Sequence, residues 1–368
     1  MRPAPLTFMS LSVLTEATSE KMALQRYTRE SIRIDDGPPV RYQLKVKRVN
    51  LDGYSDQESK LRRFTLENQN PKYPTKTILV VGATGSGKST LINALVNFVM
   101  GVKFEDGIWF EIIKDESDRS QSESQTSEIS VYEIFGFEGT VVPFSLTIID
   151  TPGYGDTKGI EYDDIVTKKL QDLFCICNGV KVIDTVGLVM KATENRLDER
   201  MCYIFNSVTS LFGKNMKKNI VMMMTHSDGR EPTNAIQAVK DAKIKCALDK
   251  DGDPIYFLFN NSQKEKINAG KRAETAAKFA FETSEEGLKE FTDFLGKSQT
   301  QSLMSTVRVM KERTQLTARI QNIKEKVHAV EMKQKEINNH REVIEKCEDK
   351  IKENSNYMMT VDEVYQKR

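Results

Sequence analysis

Gly82, Gly85, Gly87, Lys88 and Ser89 stand in the spacing G-x-x-x-x-G-K-S, between an apolar run and a helix-patterned stretch. Each residue type has a chemical reason. Glycines let a backbone wrap around phosphate with φ > 0 and no Cβ in the way. Successive N–H groups then face the phosphate oxygens, helped by the positive end of the following helix. Lys88 is a point charge for β- and γ-phosphates, and the Ser89 hydroxyl is a ligand for Mg²⁺. Ala83, Thr84, Ser86 and Thr90 complete the loop. The pattern predicts a site for a nucleoside di- or triphosphate with magnesium.

A second stretch, LTIIDTPGYGDT, puts Asp150 at the end of an apolar run, followed by Thr151, Pro152 and Gly153. An acidic residue there orients magnesium through a water. The Gly153 N–H is placed to meet a γ-phosphate, and glycine lets the segment move when that phosphate leaves. Between the two motifs lies a polar, serine-rich stretch over residues 114–132. It is expected to offer magnesium a hydroxyl, from Thr126 or alternatively Ser130.

The base is read from Thr225-His226-Ser227-Asp228, which follows another apolar run. A carboxylate at Asp228 accepts two hydrogen bonds from guanine N1–H and N2–H₂. Adenine offers no such pair and would leave the carboxylate unpaired, a strong basis for rejection. Thr-x-x-Asp is a variant of the Asn/Thr-Lys-x-Asp guanine element. His226 stands where lysine is usual, and its ring is suited to stack on the base edge. Asn260 and Asn261 end a further run and are expected to close over the base. An ATP-using enzyme stays open as an alternative.

These motifs need a frame. Apolar runs at 77–82, 128–136, 144–150, 182–190, 219–225 and 254–260 alternate with helical patterns at 89–100, 197–212 and 233–248. That alternation predicts an α/β fold, a mostly parallel sheet covered by helices on both faces, with ligands at the carboxyl ends of its strands. Three regions are expected: an N-terminal extension (1–74) with short strands and a linker, a nucleotide-binding domain (75–296), and a C-terminal helical or coiled-coil region (297–368). In the last, Val309, Leu316, Ile323, Val330, Ile337, Ile344 and Ile351 repeat at a strict heptad step. The companion column is apolar only at Ile320 and Val327, so the helix pairs with a coiled-coil partner or lies on another surface.

Composition narrows the setting. A net charge of +1 gives no global field for nucleic acid. No run nears the roughly 20 apolar residues of a membrane span. An odd number of cysteines, five, without zinc-type spacing fits a reducing, cytoplasmic location.

Taken together, GATGSGKST, DTPGYGDT, Thr225-x-x-Asp228, Phe259-Asn260-Asn261 and ENRLDERMCYIFNSVTSLFGK resemble the GIMAP-type immunity-associated GTPases and their plant chloroplast-import relatives. Septins are a more distant match. The resemblance covers roughly residues 74–296. It implies a septin-like P-loop GTPase domain that takes Mg²⁺ with GTP or GDP and forms a homodimer across its nucleotide faces, with switch or scaffold roles. It also sets Arg196 on a family arginine. Small GTPases place a glutamine after D-x-x-G to orient the attacking water. Tyr154 occupies that place here, so slow hydrolysis is expected, with Arg196 reaching a partner's phosphates. A septin-like filament-forming protein with negligible turnover is the alternative.

Overall fold

The computed structural model describes residues 21–49, 61–113, 128–136, 140–153, 160–267, 270–355 and 363. In chain order the elements are α1 (residues 21–30), β1 (Ile32–Asp35), β2 (Val40–Gln43), β3 (Lys47–Val49), β4 (Leu61–Leu66), β5 (Thr75–Gly82), α2 (Lys88–Val99), β6 (Ile108–Glu111), β7 (Ile129–Ile134) and β8 (Ser145–Asp150). There follow α3 (Ile160–Cys175), β9 (Val182–Ile183), β10 (Thr185–Lys191), α4 (Glu199–Ser210), β11 (Ile220–Thr225), α5 (Thr233–Asp241), β12 (Tyr256–Leu258), α6 (Lys271–Lys297), β13 (Gln301–Ser302) and α7 (Met304–Asn354).

Eight strands form the main sheet in the order β12-β11-β10-β5-β8-β7-β4-β3. The run β12-β11-β10-β5-β8 is parallel, and β7 turns antiparallel to β8. The pleat decides which side chains meet which helices, because alternate residues face opposite sides. Ile78, Val80, Leu146, Ile148, Val189, Val221, Met223 and Phe257 join one core with residues of α2 and α6. The alternate set, including Leu79, Val81, Ile149, Leu188, Met222 and Met224, is buried as well. Its cover comes from the other face, where α4 packs on β5 and α3 on β7. Strands buried on both sides read as continuous apolar runs, which is how they stand in the sequence. Gly287 lets α6 lie directly on the edge strand, since a Cβ there would sit 1.9 Å from the Leu258 carbonyl oxygen.

The division expected at residue 74 is not a break in the fold. β4 pairs in parallel with β7 over six residue pairs, and β2 pairs with β6. Both supply partners to strand edges that would otherwise expose unpaired backbone groups. The compact unit runs to Val307 rather than 296, because β13 pairs with β9. The apolar run at 182–190 is two strands, interrupted at Asp184, which is fully buried. Lys76 Nζ (3.1 Å) and Thr300 Oγ1 (2.6 Å) donate to Asp184 Oδ1, and the Thr77 N–H donates to Oδ2 (2.8 Å). Lys76 also donates to the Ser298 carbonyl at 2.8 Å. This ion pair and its hydrogen bonds pin residues 298–303 to the amino-terminal end of the sheet.

The second unit, 308–368, is helical through Asn354. α7 is 51 residues long, about 76 Å at 1.5 Å per residue. Its heptad column stands open, from 41% exposed at Val309 to 69% at Ile351.

Candidate functional site

The strand order reverses at β5, with β10 on one side and β8 on the other. The crevice outside such a switch point is where open α/β sheets take ligands. Gly82 ends β5 there, and the loop Ala83-Thr84-Gly85-Ser86-Gly87 leads into α2. Gly85 and Gly87 have φ of 74° and 88°, in the left-handed region, and Gly87 is the helix N-cap. Lys88 opens the helix and is buried; its Nζ donates to the Gly82 (3.0 Å) and Ala83 (2.9 Å) carbonyls. Burial lowers its pKa to about 8, against the opposing pull of the Asp150 carboxylate. Ser89 and Thr90 are half-buried at the same helix start.

Asp150, fully buried, ends β8 beside Val80 of β5. Thr151 Oγ1 donates to the Val80 carbonyl at 2.9 Å and locks the turn that follows. Gly153 then lies against the phosphate loop: a Cβ on it would fall 2.3 Å from Thr84 Oγ1. A side chain there would collide with Thr84, so glycine permits the close approach of the two loops. Ser130 is inside β7, buried and paired with Asp150 across the antiparallel ladder. It lies within the run at 128–136 that reads as a strand. Thr126 and Tyr154 lie outside the described residues.

The elements expected to read the base follow the next strands. Thr225 ends β11, and its buried hydroxyl donates to the Ser86 carbonyl at 2.7 Å, with the Met190 carbonyl 3.2 Å away. Thr225 is therefore a strut between this loop and the phosphate loop. Because that hydroxyl spends its proton on a carbonyl, it accepts from His226 Nδ1 at 3.0 Å. This sets the histidine as the Nδ1–H tautomer, with Nε2 left as an acceptor. Burial and the Lys191 ammonium both lower the His226 pKa, with Glu265 opposing them. His226 has φ of 55°. Its ring lies beside Gly87, 3.5 Å from where a Cβ on that glycine would stand.

Asp228 is open to solvent, its side chain 74% exposed. Its Oδ1 accepts the Arg230 N–H at 3.1 Å, an Asx turn that holds the carboxylate at the loop tip. The Ser227 N–H donates to the Phe259 carbonyl at 3.0 Å, so Asn260 and Asn261 are held next to it. Ser284 of α6, which nothing in the local sequence pattern singles out, accepts from the Asn260 N–H at 2.9 Å and donates to Asn261 Oδ1 at 3.0 Å. Gln263 Nε2 donates to the Asn260 carbonyl at 2.9 Å. Arg196 is exposed in the loop between β10 and α4, two positions before the helix cap Asp198. That loop is also on the carboxyl side of the sheet, and the Ala192 N–H bonds to the Thr225 carbonyl at 2.7 Å.

The residues fit a nucleotide on their own chemistry. Thr84 Oγ1 and Ser86 Oγ are buried with no hydrogen-bond partner among the described residues. Such groups are rare unless a ligand or water satisfies them. Here they sit on a glycine loop with a buried ammonium and a buried carboxylate, a donor set suited to phosphate and a divalent cation.

Fold and site together define the class: a domain of the P-loop GTPase fold. Residues 74–169 match the Septin family model. Among curated proteins, GTP-binding protein A of Dictyostelium discoideum is 26% identical over 155 residues, covering 42% of this chain and 29% of that protein. Septin-1 of Drosophila melanogaster is 38% identical over 80 residues, 22% of this chain and 19% of that protein. The chain thus spans less than a third of the length of either relative. Among solved structures, Toc33 from Arabidopsis thaliana in complex with Mg²⁺ and GMPPNP aligns with a TM-score of 0.41 and 17% identity, over 62% of this chain and 88% of that one. Among the described residues, no helix is long and apolar enough to cross a membrane.

Proposed function

We propose that this chain binds GTP and GDP with Mg²⁺ and is a slow GTPase acting as a dimerising switch or scaffold. The observation that carries the reading is the convergence at one end of one sheet of buried Lys88, buried Asp150 and solvent-facing Asp228.

In this reading Lys88 neutralises the β- and γ-phosphates, and the loop from Gly82 to Gly87 wraps them. Ser89, Thr126 and, through a water, Asp150 hold the magnesium. When bound, the cation neutralises charge on the phosphates. The Gly153 N–H meets the γ-phosphate, and its contact with Thr84 passes loss of that phosphate to the following segment. Asp228 takes guanine N1–H and N2–H₂, the His226 ring stacks on the base edge, and Asn260 and Asn261 close over it. Thr225 acts as the strut behind them.

Tyr154 in place of a water-orienting glutamine accounts for slow turnover. Arg196 is exposed and has no side-chain partner among the described residues. In a homodimer meeting face to face it would supply an arginine finger, worth about 10³–10⁵ in rate. The motifs around Thr225, Phe259 and Arg196 favour the GIMAP-type branch. The open heptad column of α7 suits a coiled-coil protein partner, and the reduced cysteines suit the cytoplasm.

The test is calorimetric titration of nucleotide-free protein with GTP and ATP in magnesium, repeated with Asp228→Asn. GTP is expected to bind at least about a hundredfold tighter, and the substitution to erase that preference. Comparable binding of ATP refutes the guanine reading. For the trans arginine, the rate per site is expected to rise with protein concentration, and a flat rate refutes it.

A further inference from the structure

The carboxamide of Asn261 can present either its oxygen or its nitrogen, and the two ends have opposite hydrogen-bonding character. What decides between them lies on α6, more than twenty residues along the chain. Ser284 is buried beneath the loop that follows β12. Its Oγ accepts the Asn260 backbone N–H at 2.9 Å. Its own proton goes to Asn261 Oδ1 at 3.0 Å. The carboxamide oxygen is thereby occupied and turned toward the helix. Asn261 Nδ2 is left buried with no partner among the described residues. A buried donor without an acceptor is unfavourable, and a ligand that brings an acceptor removes the penalty.

The neighbours say which ligand atom this is. The Ser227 N–H to Phe259 carbonyl bond ties the Asn260–Asn261 loop beside the loop that carries Asp228. Asp228 is an acceptor for N1–H and N2–H₂ of a guanine. The next group around that ring edge is the exocyclic oxygen, O6, an acceptor. A donor at Asn261 complements it, whereas a carboxamide oxygen there would face O6 as acceptor against acceptor and would suit the 6-amino group of adenine.

We propose that Ser284 is a positioning residue for base selection, holding the Asn261 carboxamide so that Nδ2 donates to guanine O6. This rests on the guanine-binding reading above. Ser284 touches no nucleotide atom itself; it acts by choosing which end of Asn261 is presented.

The experiment measures binding of GDP, IDP and 6-thio-GDP to the full chain with magnesium, for wild type, Ser284→Ala and Ser284→Thr. All three nucleotides keep N1–H; IDP keeps O6 and lacks the 2-amino group, and 6-thio-GDP replaces O6 with sulfur, a weaker acceptor. Ser284→Ala is expected to weaken GDP and IDP by the same factor, about tenfold for one hydrogen bond. It should leave 6-thio-GDP changed by less than about threefold, closing the gap between oxygen and sulfur. Ser284→Thr, which keeps the hydroxyl, is expected to restore the wild-type order. Equal weakening of all three nucleotides by Ser284→Ala overturns the proposal, because it marks Ser284 as a support for the loop and nothing more. Unchanged GDP affinity overturns it too. Wild-type protein that binds ADP as tightly as GDP refutes the guanine reading itself, an outcome distinct from the other two.

Discussion

Asp184→Asn removes one charge and almost no volume from the amino-terminal end of the sheet. The wild-type carboxylate is fully buried and serves three donors, the Lys76 ammonium, the Thr77 N–H and the Thr300 hydroxyl. In the variant one oxygen can still serve Lys76 and Thr300. The new NH₂ then faces the Thr77 N–H, donor against donor, and the Lys76 ammonium, 13% exposed, loses its counter-charge. Breaking a buried pair from one side costs about 3–5 kcal/mol. In a domain of this size each kcal/mol lowers the melting temperature by about 2–4 °C, so a fall of roughly 6–20 °C is expected. β10 separates Asp184 from the nucleotide end by seven residues, roughly 23 Å of strand. GDP affinity measured below the melting transition should therefore be unchanged. Adding Lys76→Met should recover part of the loss, because the stranded ammonium goes with it. The reasoning is refuted if Asp184→Asn melts within about 2 °C of wild type, or if Lys76→Met adds a further full penalty.

Four more outcomes follow from the site and its frame. Lys88, with a pKa near 8 before phosphate binds, should recharge when it does; GDP binding at pH 8 should take up about half a proton, read from the dependence of calorimetric enthalpy on buffer. His226 has a lowered pKa, so it favours the neutral form in the folded chain. Its contribution is full above the ordinary histidine range and is lost as pH falls through and below it; His226→Gln should flatten that acid-side loss in urea titrations between pH 7 and 5. Thr225→Val takes the donor from the Ser86 carbonyl and the acceptor from His226 Nδ1. It should lower stability by about 1–3 kcal/mol and weaken GDP, with Thr225→Ser close to wild type in both. Gly287→Ala forces α6 away from the Leu258 carbonyl. It should destabilise by about 1–3 kcal/mol in chemical denaturation, and a neutral result would disprove the close packing.

Local spacing alone made the phosphate loop, the D-x-x-G turn and the Thr-x-x-Asp element legible as motifs, because each is a contiguous run of residues. The apolar runs likewise announced a sheet buried on both faces, since such strands have no polar side to show. Contacts between distant segments were another matter. That Thr225 braces Ser86, that Ser284 orients Asn261, and that Asp184 interrupts an apolar run to hold Lys76 and Thr300 all depend on strand order and helix placement. The same holds for β4, whose six residues read as part of an N-terminal extension and instead extend the main sheet beside β7. A residue's type and its near neighbours determine what it can bond to. Only the register of the folded sheet decides which distant group arrives within 3 Å of it.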